Sequence, residues 1–174
     1  GCALHTNSTG AQNTASGYLA LAKTTTGSYN TAHGRSSSYS NTTGQYNTMI
    51  GRDAGYYNTT GSCNSILGAA ALLCNTSGGF NVAVGRAALY SNTTANNNTA
   101  LGACSLYANT TGAANTAVGY QTLKANTTGC ANTGSGIYAL YSNTTGSNNN
   151  ASGYQALVAN TTATLSGPVV LAYK

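Results

Sequence analysis

The chain has 174 residues, of which only 4% are charged, and its formal net charge is +5. One aspartate and two histidines leave almost no acids, bases or metal ligands, so we expect neither an enzyme nor a metal or cofactor site. The six Lys and Arg side chains are scattered, which argues against a nucleic-acid partner, and no apolar run is long enough for membrane insertion.

The sequence is built on a repeat of 17 residues. Each unit begins with Asn-Thr-Thr or a close variant, first at Asn7 and last at Asn160, without insertions. Constant spacing is typical of a solenoid, because each coil stacks on the next and cannot change its length. The prediction is an all-β parallel β-solenoid of about ten coils over residues 1–165, followed by a divergent segment, 166–174, that serves as a cap or pairing strand.

We number each unit from its first residue, so that residues 109–125, NTTGAANTAVGYQTLKA, form one unit. Positions 1 to 4 predict a wide turn, because Asn and Thr side chains satisfy turn backbone groups. The same residues form the Asn-x-Thr/Ser acceptor of N-glycosylation, an alternative that stays open here. The candidate acceptors are Asn7, Asn41, Asn58, Asn75, Asn92, Asn109, Asn126, Asn143 and Asn160.

Positions 7 to 11, Asn-Thr-Ala-x-Gly, predict a first strand, and positions 13 to 16 predict a second. Position 9 is small or apolar in every unit and position 15 is almost always Leu, so both should point inward. Position 7 is Asn in nine successive units, which predicts a hydrogen-bonded ladder of stacked side chains. Glycine at position 11 predicts a positive φ or a close backbone approach.

Position 10 should point outward from the first strand. In the middle coils it is aliphatic, which predicts an apolar stripe that serves as an oligomer interface. The stripe consists of Ile50, Leu67, Val84, Leu101 and Val118.

Position 16 carries a row of tyrosines that could stack on sugar rings or be buried by a partner chain. Strand propensity alone is the competing explanation. The candidate ligand-binding residues are Tyr39, Tyr56, Tyr90, Tyr107 and Tyr141. A third function class is ice binding through Thr at positions 2 and 8, although the adjacent threonines of the turn would face opposite ways in a strand.

The stretches NTAVGYQTL at residues 115–123 and NNASGYQAL at 149–157 resemble the head repeats of trimeric autotransporter adhesins and the Asn-Thr-Ala-x-Gly-Tyr arrays of phage tail-fibre proteins. The resemblance implies a left-handed parallel β-roll, three chains side by side, and attachment outside the cell. The expected function is a non-enzymatic structural or adhesive fibre at the cell or virion surface, assembling with itself as a trimer or end-to-end filament. The alternative is a glycan-binding receptor tip.

Overall fold

A computed structural model describes residues 2–164, which form a parallel β-solenoid with one nine-stranded sheet. Each strand has three residues and pairs in parallel with the strand one unit further along the chain. The strands are β1 (Thr14–Ser16), β2 (Thr31–His33), β3 (Thr48–Ile50), β4 (Ser65–Leu67), β5 (Val82–Val84), β6 (Thr99–Leu101), β7 (Thr116–Val118), β8 (Thr133–Ser135) and β9 (Asn150–Ser152). The predicted fold class and the 17-residue coil are confirmed, and the segment 166–174 lies outside the described residues.

The three strand residues occupy positions 8 to 10, and their faces follow the predicted alternation. In β5 the side chain of Ala83 is buried while Val84 is exposed, and Ala100 and Leu101 repeat this in β6. In-register pairing places each residue directly over the equivalent residue of the next coil. Every column of the repeat is therefore a row of side chains along the solenoid axis.

Within residues 2–164 the second predicted strand, at positions 13 to 16, is absent, and this part of the prediction is wrong. Positions 13 and 15 have left-handed backbone conformations, as in Ala87 (φ 56) and Leu89 (φ 52). Alternating left-handed residues curl the chain into an arc that leads back to the next turn. A left-handed L-residue costs about 1–2 kcal/mol, and bonds between coils offset that cost. Ala87 N donates to Ala69 O of one neighbouring coil at 3.0 Å, and Leu89 N to Ser105 O of the other at 3.0 Å.

Leucine at position 15 nevertheless points inward, as predicted, and forms the core with alanine at position 9. Leu72, Leu89, Leu106, Leu123 and Leu140 are fully buried, and burying each contributes about 1.5–3 kcal/mol. The position-9 residue in the same unit as each of these leucines is alanine or glycine, except for Ile66 in the unit of Leu72.

The core adapts in the third unit, where position 15 is not leucine. Gly55 replaces it in the third unit, and Met49 stands at position 9 of that unit. A Cβ atom on Gly55 would collide with Met49 Sδ, because the methionine fills the space that leucine occupies elsewhere. In this unit the large side chain is at position 9 and the small residue at position 15, which is the reverse of most units.

Glycine at position 11 meets both predicted requirements. Gly85 has φ +127, and a Cβ there would lie 2.7 Å from the carbonyl carbon of Gly102 in the next coil. The coils therefore stack backbone against backbone at this corner, where no other residue fits.

The predicted asparagine ladder at position 7 is confirmed. Asn47 Nδ2 donates to Asn30 Oδ1 at 3.1 Å and to Gly61 O of the following coil at 2.9 Å. The backbone N–H of Asn47 also donates to Asn30 Oδ1, at 3.0 Å. An amide with both bonds thus joins three consecutive coils, as at Asn47, whereas Asn98 Nδ2 has no partner within residues 2–164.

A second asparagine ladder runs along position 1, and the sequence prediction missed it. Asn58 Nδ2 donates to Asn41 Oδ1 at 3.2 Å and to Gly61 O of its own turn at 3.0 Å. The predicted turn chemistry of Asn is therefore correct, with a stacking bond added. Two parallel rows of amides hold the coils in register.

Candidate functional surfaces

The position-10 stripe is an exposed row on the outer face of the sheet. The side chain of Leu67 is 51% exposed, and Val84, Leu101 and Val118 are 37–39% exposed, while Ile50 is half-buried. The ladder pairs these residues in sequence, Ile50 with Leu67, Leu67 with Val84, and onward to Val118. Five aliphatic side chains in one line form a continuous apolar strip of the kind that marks interaction surfaces.

A row of hydroxyls lies beside the stripe at position 8. Thr31, Thr48 and Thr133 are exposed, and Thr99 and Thr116 are half-buried. This row remains available for the ice-binding alternative.

The position-2 row does not present its hydroxyls in the way that the ice-binding alternative requires. Thr42 Oγ1 donates to Thr59 O of the next coil at 3.1 Å, and Thr59 Oγ1 donates to Thr76 O at 2.9 Å. These hydroxyl protons are used within the solenoid, so these hydrogen bonds favour position 8 over position 2 for that alternative.

The position-16 tyrosines are half-buried, and each has one ring face covered by another side chain of the same column. Tyr39 stacks on Tyr56 and Tyr90 stacks on Tyr107, both with ring centroids 4.9 Å apart. Lys124 Nζ lies 5.3 Å from the ring centroid of Tyr141. Each of these contacts covers one face of the rings involved. Sugar stacking on the position-16 tyrosines stays a prediction.

A further aromatic pair was not predicted. Tyr29 and Tyr46, at position 6, stack with centroids 4.8 Å apart and planes 2° apart, and Phe80 in the same column is 64% exposed. The signal in the sequence was the recurrence of Tyr at an interval of 17 residues, as at position 16.

Seven of the nine candidate glycosylation sites are fully buried, and the hypothesis is corrected for them. Their Nδ2 atoms, to which an N-linked glycan would attach, donate hydrogen bonds inside the coil; Asn75 Nδ2, for example, bonds Asn58 Oδ1 at 2.7 Å and Gly78 O at 2.9 Å. The seven are Asn41, Asn58, Asn75, Asn92, Asn109, Asn126 and Asn143. Asn7 is exposed and Asn160 half-buried, so both stay candidates.

Two acceptor sequences that the repeat pattern concealed lie on the surface. Asn97-Asn98-Thr99 and Asn150-Ala151-Ser152 match the Asn-x-Thr/Ser pattern outside the turn, and both Asn97 and Asn150 are exposed. Neither asparagine is the first residue of its unit, so the Asn-Thr-Thr signature of the repeat does not include them.

A groove of about 410 Å³ opens on the arc that follows the position-11 corner. Its floor is formed by small residues, Ala69, Ala70 and Ala87, with Cys104 beside them. The remaining lining residues are Arg52, Arg86, Tyr90, Tyr107 and Lys124. Small side chains in two adjacent coils thus leave a depression bordered by three cations and two phenol groups.

The only acidic side chain lies near one end of this groove. Asp53 Oδ2 is 3.3 Å from Arg52 Nε and 3.5 Å from the guanidinium of Arg35. Lys124, near the other end, donates from Nζ to Tyr141 Oη at 3.3 Å. This hydrogen bond raises the pKa of Lys124.

Among residues 2–164, no group of three or more His, Cys, Asp or Glu side chains could hold a metal ion. Within the same residues, no helix is long and apolar enough to cross a membrane. The described cysteines are all free thiols, and burial raises the pKa of Cys74.

The predictions of a trimeric adhesin or tail-fibre family, of a non-enzymatic role and of a surface location remain predictions. Comparison with protein-family models, with curated proteins and with solved structures finds no match for this chain.

Proposed function

We propose that the protein is a non-enzymatic structural or adhesive fibre component that assembles with itself outside the cell or on a virion. The observation that carries this proposal is the position-10 stripe on a regular solenoid. Parallel coils in register supply a rigid element, and the stripe supplies an apolar surface on one side of it.

The stripe favours side-by-side association of solenoids. Its five side chains span four sheet rungs, or about 19 Å along the axis. Packing two or three such rows together removes apolar surface from water at about 25 cal/mol per Å². The low charge of the chain adds little repulsion between copies. Additional length would come from strand pairing between the ends of successive sheets, which is the end-to-end part of the proposal.

The experiment introduces charge into the stripe. The triple variant Val84→Asp, Leu101→Asp and Val118→Asp should be monomeric, because each carboxylate would have to be desolvated in the interface. Sedimentation velocity and negative-stain electron microscopy report the assembly state.

The matched control is Ser77→Asp, Thr94→Asp and Thr111→Asp. It adds the same charge to exposed position-3 residues of the same three units. The control should assemble like the unmodified protein. A monomeric unmodified protein, or assembly of the stripe variant, would contradict the proposal.

Glycan binding is the second candidate function, favoured by the exposed edges of the stacked tyrosines and by the groove beside Tyr90 and Tyr107. A glycan array with the unmodified protein and with the two tyrosines replaced by alanine tests it. Loss of signal only in the variant would support this function, and an unchanged pattern would oppose it.

The exposed position-8 threonines keep ice binding as a third candidate. Thermal hysteresis measured on the purified protein tests this function, and the absence of hysteresis would exclude ice binding.

A further inference from the structure

We propose that the groove between Arg52 and Lys124 binds a carboxylate-bearing oligosaccharide, with Arg86 as the central partner of a carboxylate. The inference rests on the attachment part of the proposed function and names the chemistry of the ligand.

Charge is the first argument. Asp53 is the only acidic side chain in the chain, and it already contacts Arg35 and Arg52. Arg86 is exposed and has no acidic side chain with which to pair. A guanidinium offers a planar fork of donors that matches a carboxylate in two hydrogen bonds. The groove thus presents an uncompensated donor array to a ligand.

Spacing is the second argument. Arg52 and Arg86 both occupy position 12, two coils apart, and Lys124 belongs to the unit two coils beyond Arg86. Successive cations are therefore about 10 Å apart along the axis at the usual sheet spacing. Each sugar ring of an extended chain advances it by about the axial rise of one coil, so two rings span the distance between successive cations. The spacing therefore suits carboxylates on alternate rings.

Shape is the third argument. Position 12 is Ala69 between Arg52 and Arg86, whereas Tyr120 and Tyr154 occupy the same column elsewhere. With Ala70 and Ala87 beside it, this alanine makes room for a ligand against the coil surface. A volume of about 410 Å³ falls within the range of small-ligand sites, about 300–1,000 Å³.

The borders of the groove suit hydroxylated rings. Tyr90 and Tyr107 stack with their planes 12° apart, which holds both phenol groups at the groove edge. A phenol hydroxyl both donates and accepts, as sugar hydroxyls do. A nucleic acid would instead need open aromatic faces for its bases, and a denser set of cations for its phosphates.

The test measures binding of a short unbranched uronate oligosaccharide by isothermal titration calorimetry. Its carboxyl-reduced, neutral counterpart and a single-stranded DNA oligonucleotide are the comparison ligands. The protein variants are Arg86→Gln and, as a matched control, Lys23→Gln, which removes one exposed positive charge outside the groove.

We expect the uronate to bind the unmodified protein, and both Arg86→Gln and carboxyl reduction to weaken binding by at least about tenfold. Lys23→Gln should change affinity by less than about twofold, because a distant exposed charge acts mainly through screened long-range attraction. Circular dichroism confirms that both variants keep the β-solenoid.

Four outcomes would overturn the inference: no uronate binding, equal binding of the neutral sugar, equal losses in the two variants, or equally tight binding of DNA. Sedimentation of the same samples keeps the two proposals separate. If the protein assembles but binds no uronate, only the groove proposal is contradicted. If it is monomeric but binds uronate, only the fibre proposal is contradicted.

Discussion

Thr24 interrupts the position-1 ladder, and replacing it with asparagine should stabilise the protein. Thr24 is fully buried, and its Oγ1 has no hydrogen-bond partner within residues 2–164. The neighbouring Asn41 donates from Nδ2 to Gly44 O at 3.1 Å, whereas Asn58 one coil later also donates to the previous asparagine. The variant Thr24→Asn supplies the missing amide at a site of nearly unchanged volume.

The size of the effect follows from the bonds that the other units make. The new Nδ2 would donate to Gly27 O and to Asn7 Oδ1, and the new Oδ1 would accept from Asn41 Nδ2. A net hydrogen bond contributes about 0.5–1.5 kcal/mol, and Asn7 is exposed, so its bond contributes least. We expect Thr24→Asn to raise the free energy of unfolding by about 2–3 kcal/mol.

Urea unfolding monitored by circular dichroism measures the change, and amide hydrogen exchange locates it. Stability in a solenoid is nearly a sum of coil and interface terms, so slower exchange should be concentrated in the first three units. The mirror variant Asn75→Thr places the same defect in the middle of the ladder, where Asn75 bonds Asn58 at 2.7 Å and accepts from Asn92 at 2.9 Å. It should destabilise by at least as much as Thr24→Asn stabilises. An unchanged midpoint for Thr24→Asn, or a neutral Asn75→Thr, would refute the reasoning.

Two further predictions concern the core and the tyrosines. Met49→Ala should cost about 2–5 kcal/mol through the cavity it leaves and Gly55→Leu about 1–3 kcal/mol through overpacking, whereas the double variant should unfold within about 1 kcal/mol of the original protein. A double-mutant cycle by urea unfolding checks this, and additive losses would contradict it. Burial raises the pKa of Tyr56 and Tyr90 above 10.0, so the stability they contribute is complete below that value and is lost as pH rises through their folded pKa values. Unfolding midpoints should therefore fall above about pH 10, and replacing both tyrosines with phenylalanine should reduce the fall.

The repeat length, the faces of the strand and the position-7 ladder could be predicted because each depends on residue type at a fixed interval. Position 9 is small or apolar in every unit, which marks Ala83 as the inward residue and its neighbour Val84 as the outward one, and Asn47 and Asn64 are identical neighbours. In-register stacking turns such columns directly into contacts. No long-range information was needed beyond the period itself.

The arc at positions 13 to 16 could not be predicted from residue types. Left-handed residues are usually glycine or asparagine, yet Ala87, Cys104 and Leu106 adopt this conformation here. Bonds to the coils on both sides impose it, as at Leu106 N, which donates to Thr122 O at 3.0 Å. A leucine followed by tyrosine also fits an alternating strand, so the pattern favoured the wrong element.

The turn asparagines show a second limit of the sequence. The sequence Asn-Thr-Thr is compatible both with an N-glycosylation site and with a buried ladder position, so residue types alone do not distinguish the two. Burial decides between them, since Asn92 has both its oxygen and its nitrogen bonded inside the solenoid.

Different positions of the coil fix the register and form the outer surfaces, and this relates the two proposals to each other. Core and ladder positions fix the register, so the outward columns at positions 10, 12 and 16 can vary without disturbing the stack. The apolar stripe, from Ile50 to Val118, and the groove, from Arg52 to Lys124, occupy the same five units but lie on opposite sides of the position-11 corner. Solenoids that associate through the sheet face would leave the arc, and with it the groove, in contact with solvent. Self-assembly and saccharide binding should therefore be separable by mutation, with charge in the stripe preventing assembly and Arg86→Gln weakening saccharide binding.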